Sequence, residues 1–343
     1  MTSIAIFRFK HPVDGQEQMW AIGDTRITAT TTNSSAPVES ITSGAKIFSI
    51  PVRVAKNLAR HEGGAVMLET SIGMAYAGNT TLGLNLHAQL SQILPHLVCD
   101  DFAANPVISL EQIAEFAGTI LKQMAKEMNW RYSSPNEIQT AEVAFFGKCP
   151  DTERLHVYLV RPTTEMNELV CRPKDVTPLN AISAYLKSEV GAVLLGAHKK
   201  EISELIYARV SDVLIPGVKF NDLEVQAQAS IAPKYVLEAL IHHEVFPTIG
   251  RGLQIMIAAQ ESVYPVTWGR PQSMSVSSKD YEMYSLFNFN VLDALRNLGK
   301  TRIHYWPCLG PDFDVDARGL SLISEFQEAL RRLKGEPPVM LIL

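Results

Sequence analysis

The chain has 343 residues, of which 46% are hydrophobic and 20% are charged, so it can bury one large core or the cores of two domains. The net charge of -5 is spread along the sequence, and no cluster of Lys and Arg indicates a nucleic-acid or anionic membrane surface. No apolar run approaches the roughly 18 residues that a membrane helix needs. The composition therefore favours a globular protein that binds neither nucleic acid nor membrane.

The start of the chain and the cysteines indicate where such a protein works. The first apolar run is short, and Arg8 and Lys10 follow it, which is not the pattern of a secretory signal peptide. The four cysteines are far apart and include no CxxC pair, which argues against a zinc site and a dense disulfide framework. We therefore expect a cytoplasmic protein with reduced cysteines and neither a metal nor a cofactor.

The first part of the chain is predicted to consist mainly of strands. Alternating and β-branched apolar residues predict most of them, and Pro51 is expected to end the strand before it. A polar and apolar mixture after Pro51 predicts one or two helical turns instead. The predicted strands are Ser3–Lys10, Met19–Ile22, an extended Thr25–Thr32, Lys46–Ile50, Ala65–Thr70 and Ile72–Ala77, and the helical turns lie in Val52–Arg60.

The rest of the chain is predicted to alternate pairs of helices with strands. Ser109 and Gln112 have the spacing of a capping box before the second helix. Apolar residues at helical spacing predict helices over Thr80–Leu94, Leu110–Met128, Glu201–Leu214 and Leu223–Val245, the last interrupted at Pro233. Strands are predicted over Glu142–Phe146, Leu155–Val160, Gly191–Leu195 and Leu253–Ala259. Farther on, Val291–Leu298 and Leu320–Leu333 are predicted to be helical, and Arg302–Trp306 and Val339–Leu343 extended.

This order of elements indicates an α+β protein. Strands gathered before and after pairs of helices favour a sheet-on-sheet core with helices outside, whereas a doubly wound fold would alternate single strands and helices.

Four positions carry a recognisable chemical pattern. Thr2 follows the initiator Met1, Asp24 lies in the segment AIGDTR, Lys46 lies in GAKIFSI, and Gly78 lies in MAYAGNT. In this order the segments resemble those of the proteasome β-subunits and their bacterial relatives, which are N-terminal nucleophile (Ntn) hydrolases. Each segment alone is weakly specific, and the resemblance rests on their order over residues 2–260.

The resemblance implies a fold, an activity and partners. It implies a four-layer αββα sandwich over residues 1–260, followed by a C-terminal α/β extension over residues 261–343. It implies a threonine protease or amidohydrolase acting on a peptide or protein substrate, assembled into a homo-oligomeric ring or shell, with a possible ATP-driven unfoldase as partner. A catalytically silent scaffold subunit and an Ntn amidohydrolase acting on a small amide remain alternatives.

The residue types fit this chemistry. Once Met1 is removed, the α-amine of Thr2, with a reference pKa of about 8, is a base beside its own hydroxyl. The ammonium of Lys46 is expected to disfavour protonation of that amine, and Asp24 is expected to pair with Lys46. The resemblance places the oxyanion donor at Gly78. Each residue also has an alternative structural interpretation when it is taken alone. Asp24 could be an ordinary turn residue, and Lys46 could be a solvated charge at a strand edge.

Two stretches depart from the family's pattern. The family carries a Ser in a turn after the strand that here ends near Gly196, and that hydroxyl is missing. Its later Asp and Ser are matched only loosely by Glu244 and Thr248, at a spacing one residue longer. We expect Gly196, Glu244 and Thr248 to have accessory roles. The side chains predicted to form the substrate pocket are Ile27, Phe48 and Tyr76, which predict an apolar preference.

Overall fold

The fold is that of a computed structural model, which describes residues 3–29, 38–41, 44–56, 66–99, 108–131, 141–165, 168–214, 219–250, 252–259, 262–271, 281–286, 289–290, 308–309 and 325–335. Its strands are β1 (Ser3–Lys10), β2 (Glu17–Asp24), β3 (Ile27–Ala29), β4 (Val38–Ile41), β5 (Ile47–Lys56), β6 (Val66–Gly78), β7 (Leu97–Cys99), β8 (Ala141–Lys148), β9 (Leu155–Val160), β10 (Thr163–Glu165), β11 (Glu168–Val170), β12 (Pro173–Asp175), β13 (Ala192–Gly196), β14 (Leu253–Ala259), β15 (Ser262–Pro271), β16 (Tyr281–Leu286), β17 (Phe289–Asn290) and β18 (Cys308–Leu309). Its α-helices are α1 (Thr80–Ile93), α2 (Leu110–Arg131), α3 (Ala181–Leu186), α4 (Lys199–Val213), α5 (Leu223–Ser230), α6 (Ala232–His242) and α7 (Glu325–Leu333).

The strands form two larger sheets. One has the order β13-β1-β2-β14-β15-β16-β17, with β18 beside β15, and the other has the order β12-β9-β8-β6-β5-β7. The mixed composition and the antiparallel hairpins β1–β2, β5–β6 and β8–β9 are consistent with the α+β class. The four-layer stacking stays a prediction. Within the described residues, no helix is both long enough and apolar enough to span a membrane.

The chain divides into two compact units that interleave in sequence. The first unit comprises Met1–Ala45, Pro178–Ile255 and Pro265–Leu343, and the second comprises Lys46–Thr177 and Met256–Tyr264. The predicted boundary at residue 260 falls between β14 and β15, which are neighbours in one sheet. A separate C-terminal extension stays a prediction, and the predicted elements over 291–298, 302–306 and 339–343 lie outside the described residues.

The first unit is built around β1 and β2. Helices α5 and α6 pack against β1, α6 also packs against β2, and α4 packs against β13 and α7. Five consecutive residues of β1, from Ser3 to Phe7, are buried. Because successive side chains of a strand point to opposite sides, both faces of β1 are covered. The beginning of β1 is therefore an enclosed part of the molecule.

The second unit is a sheet with a helix pair on it. Helix α1 packs against β5, β6 and β8, and α2 packs against β8, β9 and β12. The apolar stripes of both helices meet the sheet in one core cluster. Its members include Ile50, Val52, Ile72, Met74, Tyr76, Leu82, Leu86, Leu90, Ile113, Leu121, Val143 and Phe145.

The strand around Pro51 differs from its prediction. β5 continues through Pro51 to Lys56, so neither the predicted strand end nor the predicted helical turns over 52–56 are found, and 57–60 lie outside the described residues. β5 pairs with β6 on one side, whereas β7 joins its other side only from Val54 onward. Proline is tolerated where a strand has a free edge, because no partner there requires its missing N–H.

Gly83 offers a test of the packing between α1 and the sheet. An ideal Cβ at Gly83 overlaps the ring of Tyr76. Helix propensity alone would make Gly83→Ala stabilising by about 1 kcal/mol. We expect the overlap to reverse the sign and to lower the free energy of unfolding by about 1–3 kcal/mol. Urea unfolding measures the change, with Asn85→Ala on the exposed side of the same helix as the control; a stabilised Gly83→Ala would contradict the packing.

Candidate active site

Asp24 is the last residue of β2 and lies next to the beginning of β1. It is fully buried. Because the hairpin register pairs Ile4 with Gly23, the carboxylate of Asp24 lies beside Ser3 of β1. The backbone N–H of Ser3 donates to Asp24 Oδ1 at 3.0 Å, and the N–H of Arg26 donates to Oδ2 at 3.2 Å. The carboxylate is therefore fixed one residue from Thr2, which itself lies outside the described residues.

Lys46 and Gly78 lie at one end of the sheet in the second unit. Lys46 is 1% exposed, and its carbonyl accepts a hydrogen bond from Tyr76 N–H at 3.0 Å. Gly78 ends β6 two residues beyond Tyr76, with φ of 103°, a conformation that favours glycine. Asn79 then begins α1 by accepting from the N–H of Leu82 at 3.0 Å. A buried ammonium is costly unless it is paired, so a Lys at this position is not a solvated edge charge.

The structure thus brings Asp24 to the start of β1 in one unit and Lys46 to the strand end near Gly78 in the other. Their joint action with Thr2 stays a prediction. Within the described residues, no group of three or more His, Cys, Asp and Glu side chains is placed to hold a metal ion.

The three residues predicted to be accessory lie in different environments. Gly196 ends β13 with φ of 88° and pairs with Ser3 across the sheet. Thr248 is buried, and its hydroxyl shares a hydrogen bond with His198 Nε2 at 3.2 Å. Glu244 is exposed after α6 with φ of 48°. Gly196 is therefore a half-buried strand end and Thr248 is buried in a turn, whereas Glu244 faces solvent.

The predicted pocket residues belong to both units. Ile27 belongs to the first unit, where an ideal Cβ on Gly44 would overlap its side chain. In the second unit Phe48 lies parallel to Tyr76, with 6.1 Å between the ring centroids. Tyr76 is 1% exposed, and burial raises its pKa to about 12 against the opposing effect of a hydrogen bond with Thr80. Tyr76 thus offers no surface to a substrate in this conformation, and the pocket stays a prediction.

His198 and Ser3 are the residues at this site that the sequence did not single out. The segment around His198 drew notice only for a missing Ser, and a Ser at position 3 has no distinguishing pattern. The hydroxyl of Ser3 donates to the carbonyl of Ala197 at 3.1 Å, and His198 follows directly. No sequence signal would have found this contact, because 194 positions separate its two residues.

His87 on α1 gives a pH-dependent prediction. Its ring stacks on Phe48 at 4.1 Å, and burial lowers its pKa. The unfolded chain, with an ordinary pKa of about 6.5, then binds a proton that the folded chain does not. We expect the free energy of unfolding to decrease as the pH falls through about 6.5, and to level off below the folded-state pKa. Urea unfolding at several pH values measures this, and His87→Phe should remove that part of the pH dependence. An unchanged pH dependence in His87→Phe would contradict the assignment.

Comparisons with known proteins give a distant similarity. No protein-family model matches the chain. No curated protein matches it either. Among solved structures it is similar to Anbu (ancestral beta-subunit) from Yersinia bercovieri, at 12% identity and a TM-score of 0.40 over 88% of this chain and 98% of that one. It is also similar to Anbu from Hyphomicrobium sp. strain MC1, at 14% identity and a TM-score of 0.38 over 89% of this chain and 99% of that one.

These comparisons correct the assignment made from the sequence motifs. The structures found are ancestral beta-subunit proteins at low TM-score. The assignment of the chain to the bacterial proteasome-related branch of the Ntn hydrolases is therefore wrong.

Proposed function

We propose that the chain is a threonine-dependent amide or peptide hydrolase whose nucleophile is Thr2, exposed by removal of Met1. The observation that carries the proposal is the buried carboxylate of Asp24, which accepts from Ser3 N–H one residue from Thr2. A buried carboxylate is costly unless it is hydrogen-bonded or paired, and we propose that a cation pairs with Asp24 in addition to its two backbone hydrogen bonds.

Lys46 is the partner that we propose. Gly44 N–H donates to the carbonyl of Thr25 at 2.8 Å, so Gly44 lies next to the residue that follows Asp24. Two peptide units join Gly44 to Lys46, and their Cα atoms are therefore at most about 7.6 Å apart. On this basis we propose that the buried ammonium of Lys46 pairs with the carboxylate of Asp24.

The reaction is an acyl transfer in two steps. The hydroxyl oxygen of Thr2 bonds to the substrate carbonyl carbon while its proton passes to the Thr2 α-amine. The same amine then protonates the leaving nitrogen as the C–N bond breaks, and an ester remains on Thr2. Water then attacks the ester carbonyl carbon while one of its protons passes to the α-amine. The acyl group leaves as a carboxylic acid with the water's hydroxyl, and the amine returns the proton to the Thr2 oxygen.

Lys46 and Gly78 would assist these steps. A charged Lys46 lowers the proton affinity of the α-amine and so keeps it available as the base. The negative charge on the substrate oxygen needs a hydrogen-bond donor that is already in place, and the peptide N–H at Gly78 is proposed for this role. The left-handed backbone of Gly78, which a larger residue adopts only with strain, supports a specialised use of that turn.

We also propose that the active form is a homo-oligomeric ring or shell that restricts access of proteins to the site and works with an ATP-driven unfoldase. Size-exclusion chromatography with light scattering measures the oligomeric state. A closed assembly is the expected result, and a monomer at all concentrations would contradict it.

The proposed nucleophile can be tested without changing Thr2. Inserting Leu between Met1 and Thr2 keeps the hydroxyl but leaves the Thr nitrogen in a peptide bond, and a bulky second residue also prevents removal of Met1. We expect the insertion to abolish hydrolysis of fluorogenic peptides, because the base is lost. An insertion of Ala at the hairpin turn after Pro12 is the control for insertion as such. Full activity of the Leu insertion would exclude an N-terminal nucleophile.

A further inference from the structure

The backbone of His198 has an uncommon conformation, and contacts of its side chain stabilise it. It follows β13 with φ of 56°, a left-handed backbone that is uncommon for residues other than glycine. Its ring stacks on Phe246 with 3.9 Å between centroids and an angle of 11° between planes. Its Nε2 shares a hydrogen bond with Thr248 Oγ1 at 3.2 Å. His198 stands at the start of α4 without capping it, so its ring is engaged by the turn after α6 instead.

The residue before His198 anchors the beginning of β1. The carbonyl of Ala197 accepts from the hydroxyl of Ser3 at 3.1 Å, and Ser3 is fully buried. Ser3 also pairs with Gly196 in the sheet and donates its N–H to Asp24. The position of Ser3 is therefore fixed from both neighbouring strands and through both its backbone and its side chain.

The turn that holds the His198 ring is itself fastened to the end of β2. Arg26 Nη1 donates to the carbonyl of Pro247 at 2.6 Å, and the N–H of Thr25 donates to the carbonyl of Gly252 at 3.1 Å. Because Arg26 also donates its backbone N–H to Asp24, the contacts close on themselves. We call this closed set of contacts the N-terminal clamp, with the members Ser3, Asp24, Arg26, Ala197, His198, Pro247 and Thr248.

We propose that His198 is a positioning residue that sets the place of Thr2 through this clamp. The proposal rests on Thr2 being the nucleophile. His198 ties the Ala197 carbonyl to the turn at Thr248, the carbonyl fixes Ser3, and Thr2 is covalently joined to Ser3. A nucleophile misplaced by about 1 Å loses on the order of a hundredfold in rate, so contacts one residue away affect catalysis. A left-handed residue persists only where surrounding contacts hold it, and the ring contacts of His198 do this.

The experiment separates the hydrogen bond from the stacking. His198→Phe keeps an aromatic ring against Phe246 but loses the bond to Thr248, and Thr248→Val removes the same bond from its other end. We expect each variant to lower kcat about tenfold with KM changed less than about twofold, and the double variant to lose no more than either single one. His11→Ala, which removes a partly exposed His of the β1–β2 turn, is the control with unchanged kinetics.

A second measurement does not depend on activity. We expect the Ser3 amide to exchange its hydrogen at least about tenfold faster in both single variants, while the Ile6 amide farther along β1 exchanges at the wild-type rate. Unchanged exchange at Ser3, or equal acceleration at Ser3 and Ile6, would overturn the positioning role. If wild-type protein hydrolyses no amide, the proposed function fails, but faster exchange at Ser3 alone still supports the clamp.

Discussion

We expect Thr2→Ala to abolish amide hydrolysis while the protein stays folded. The substitution removes the hydroxyl that is proposed to attack the carbonyl and keeps the α-amine, which cannot form the ester intermediate. Thr2→Ser retains both groups and is expected to keep partial activity, since only the methyl group that restricts the hydroxyl rotamer is lost. Initial rates on one fluorogenic peptide measure both variants, and circular dichroism verifies the fold. A Thr2→Ala variant as active as the wild type would refute the nucleophile.

Loss of Lys46 is the second large effect that we expect. Lys46 is buried, so its removal takes away a fixed charge and not a screened surface charge. Under the proposed function this charge acts on the α-amine of Thr2. Lys46→Met, close in length and without charge, should lower kcat by a factor on the order of 100–1000, as removal of other preorganised electrostatic groups does. Lys46→Arg should also fail, because a planar guanidinium does not replace a compact ammonium in an enclosed space. Arg53→Ala, an exposed cation on the same strand, is the control.

Asp24 tests whether these residues act together. Asp24→Asn keeps the shape of the side chain and removes the charge that would pair with Lys46, so we expect a smaller loss of rate. The double variant Lys46→Met, Asp24→Asn should lose little more than Lys46→Met alone, because residues acting as a unit are not additive. Additive losses would show that the two residues act independently. Urea unfolding of all three variants distinguishes a loss of rate from a loss of folded protein.

Local patterns in the sequence predicted most of the regular elements. The strand Leu155–Val160 and the strand Leu253–Ala259 have the predicted bounds, and the helix predicted from Thr80 ends one residue earlier than predicted. These segments carry their own periodicity and turn residues. The strand through Pro51 was missed because a free strand edge is a property of the sheet, which local sequence does not contain.

Charged residues in helices show a second limit of prediction from local sequence. Lys234 and Glu238 have the i,i+4 spacing of an ordinary surface pair, yet in the structure both side chains are 1% exposed and lie 2.8 Å apart. Nothing in the spacing distinguishes a buried pair from an exposed one. The packing of α6 against β1 and β2 decides it, and that packing depends on residues more than 200 positions earlier.

The candidate site shows the same division. Thr2, Asp24, Lys46 and Gly78 were predicted because their types and order form a chemical pattern, and their joint role stays a prediction. The clamp was not predicted, because its contacts join β1 to turns near residues 197 and 247, and its members His198 and Ser3 belong to no motif. Contacts of this kind arise from the sheet register, which pairs Ser3 with Gly196.

The intact mass of the protein after reaction with a peptide epoxyketone tests the central claim most directly. This electrophile bonds to both the hydroxyl and the α-amine of an N-terminal Thr, so a stable adduct needs both groups. We predict a chain lighter by one Met residue that gains one probe per chain, with the adduct mapped to Thr2 and absent from Thr2→Ala. A chain that retains Met1, or an adduct that persists in Thr2→Ala, would contradict the account.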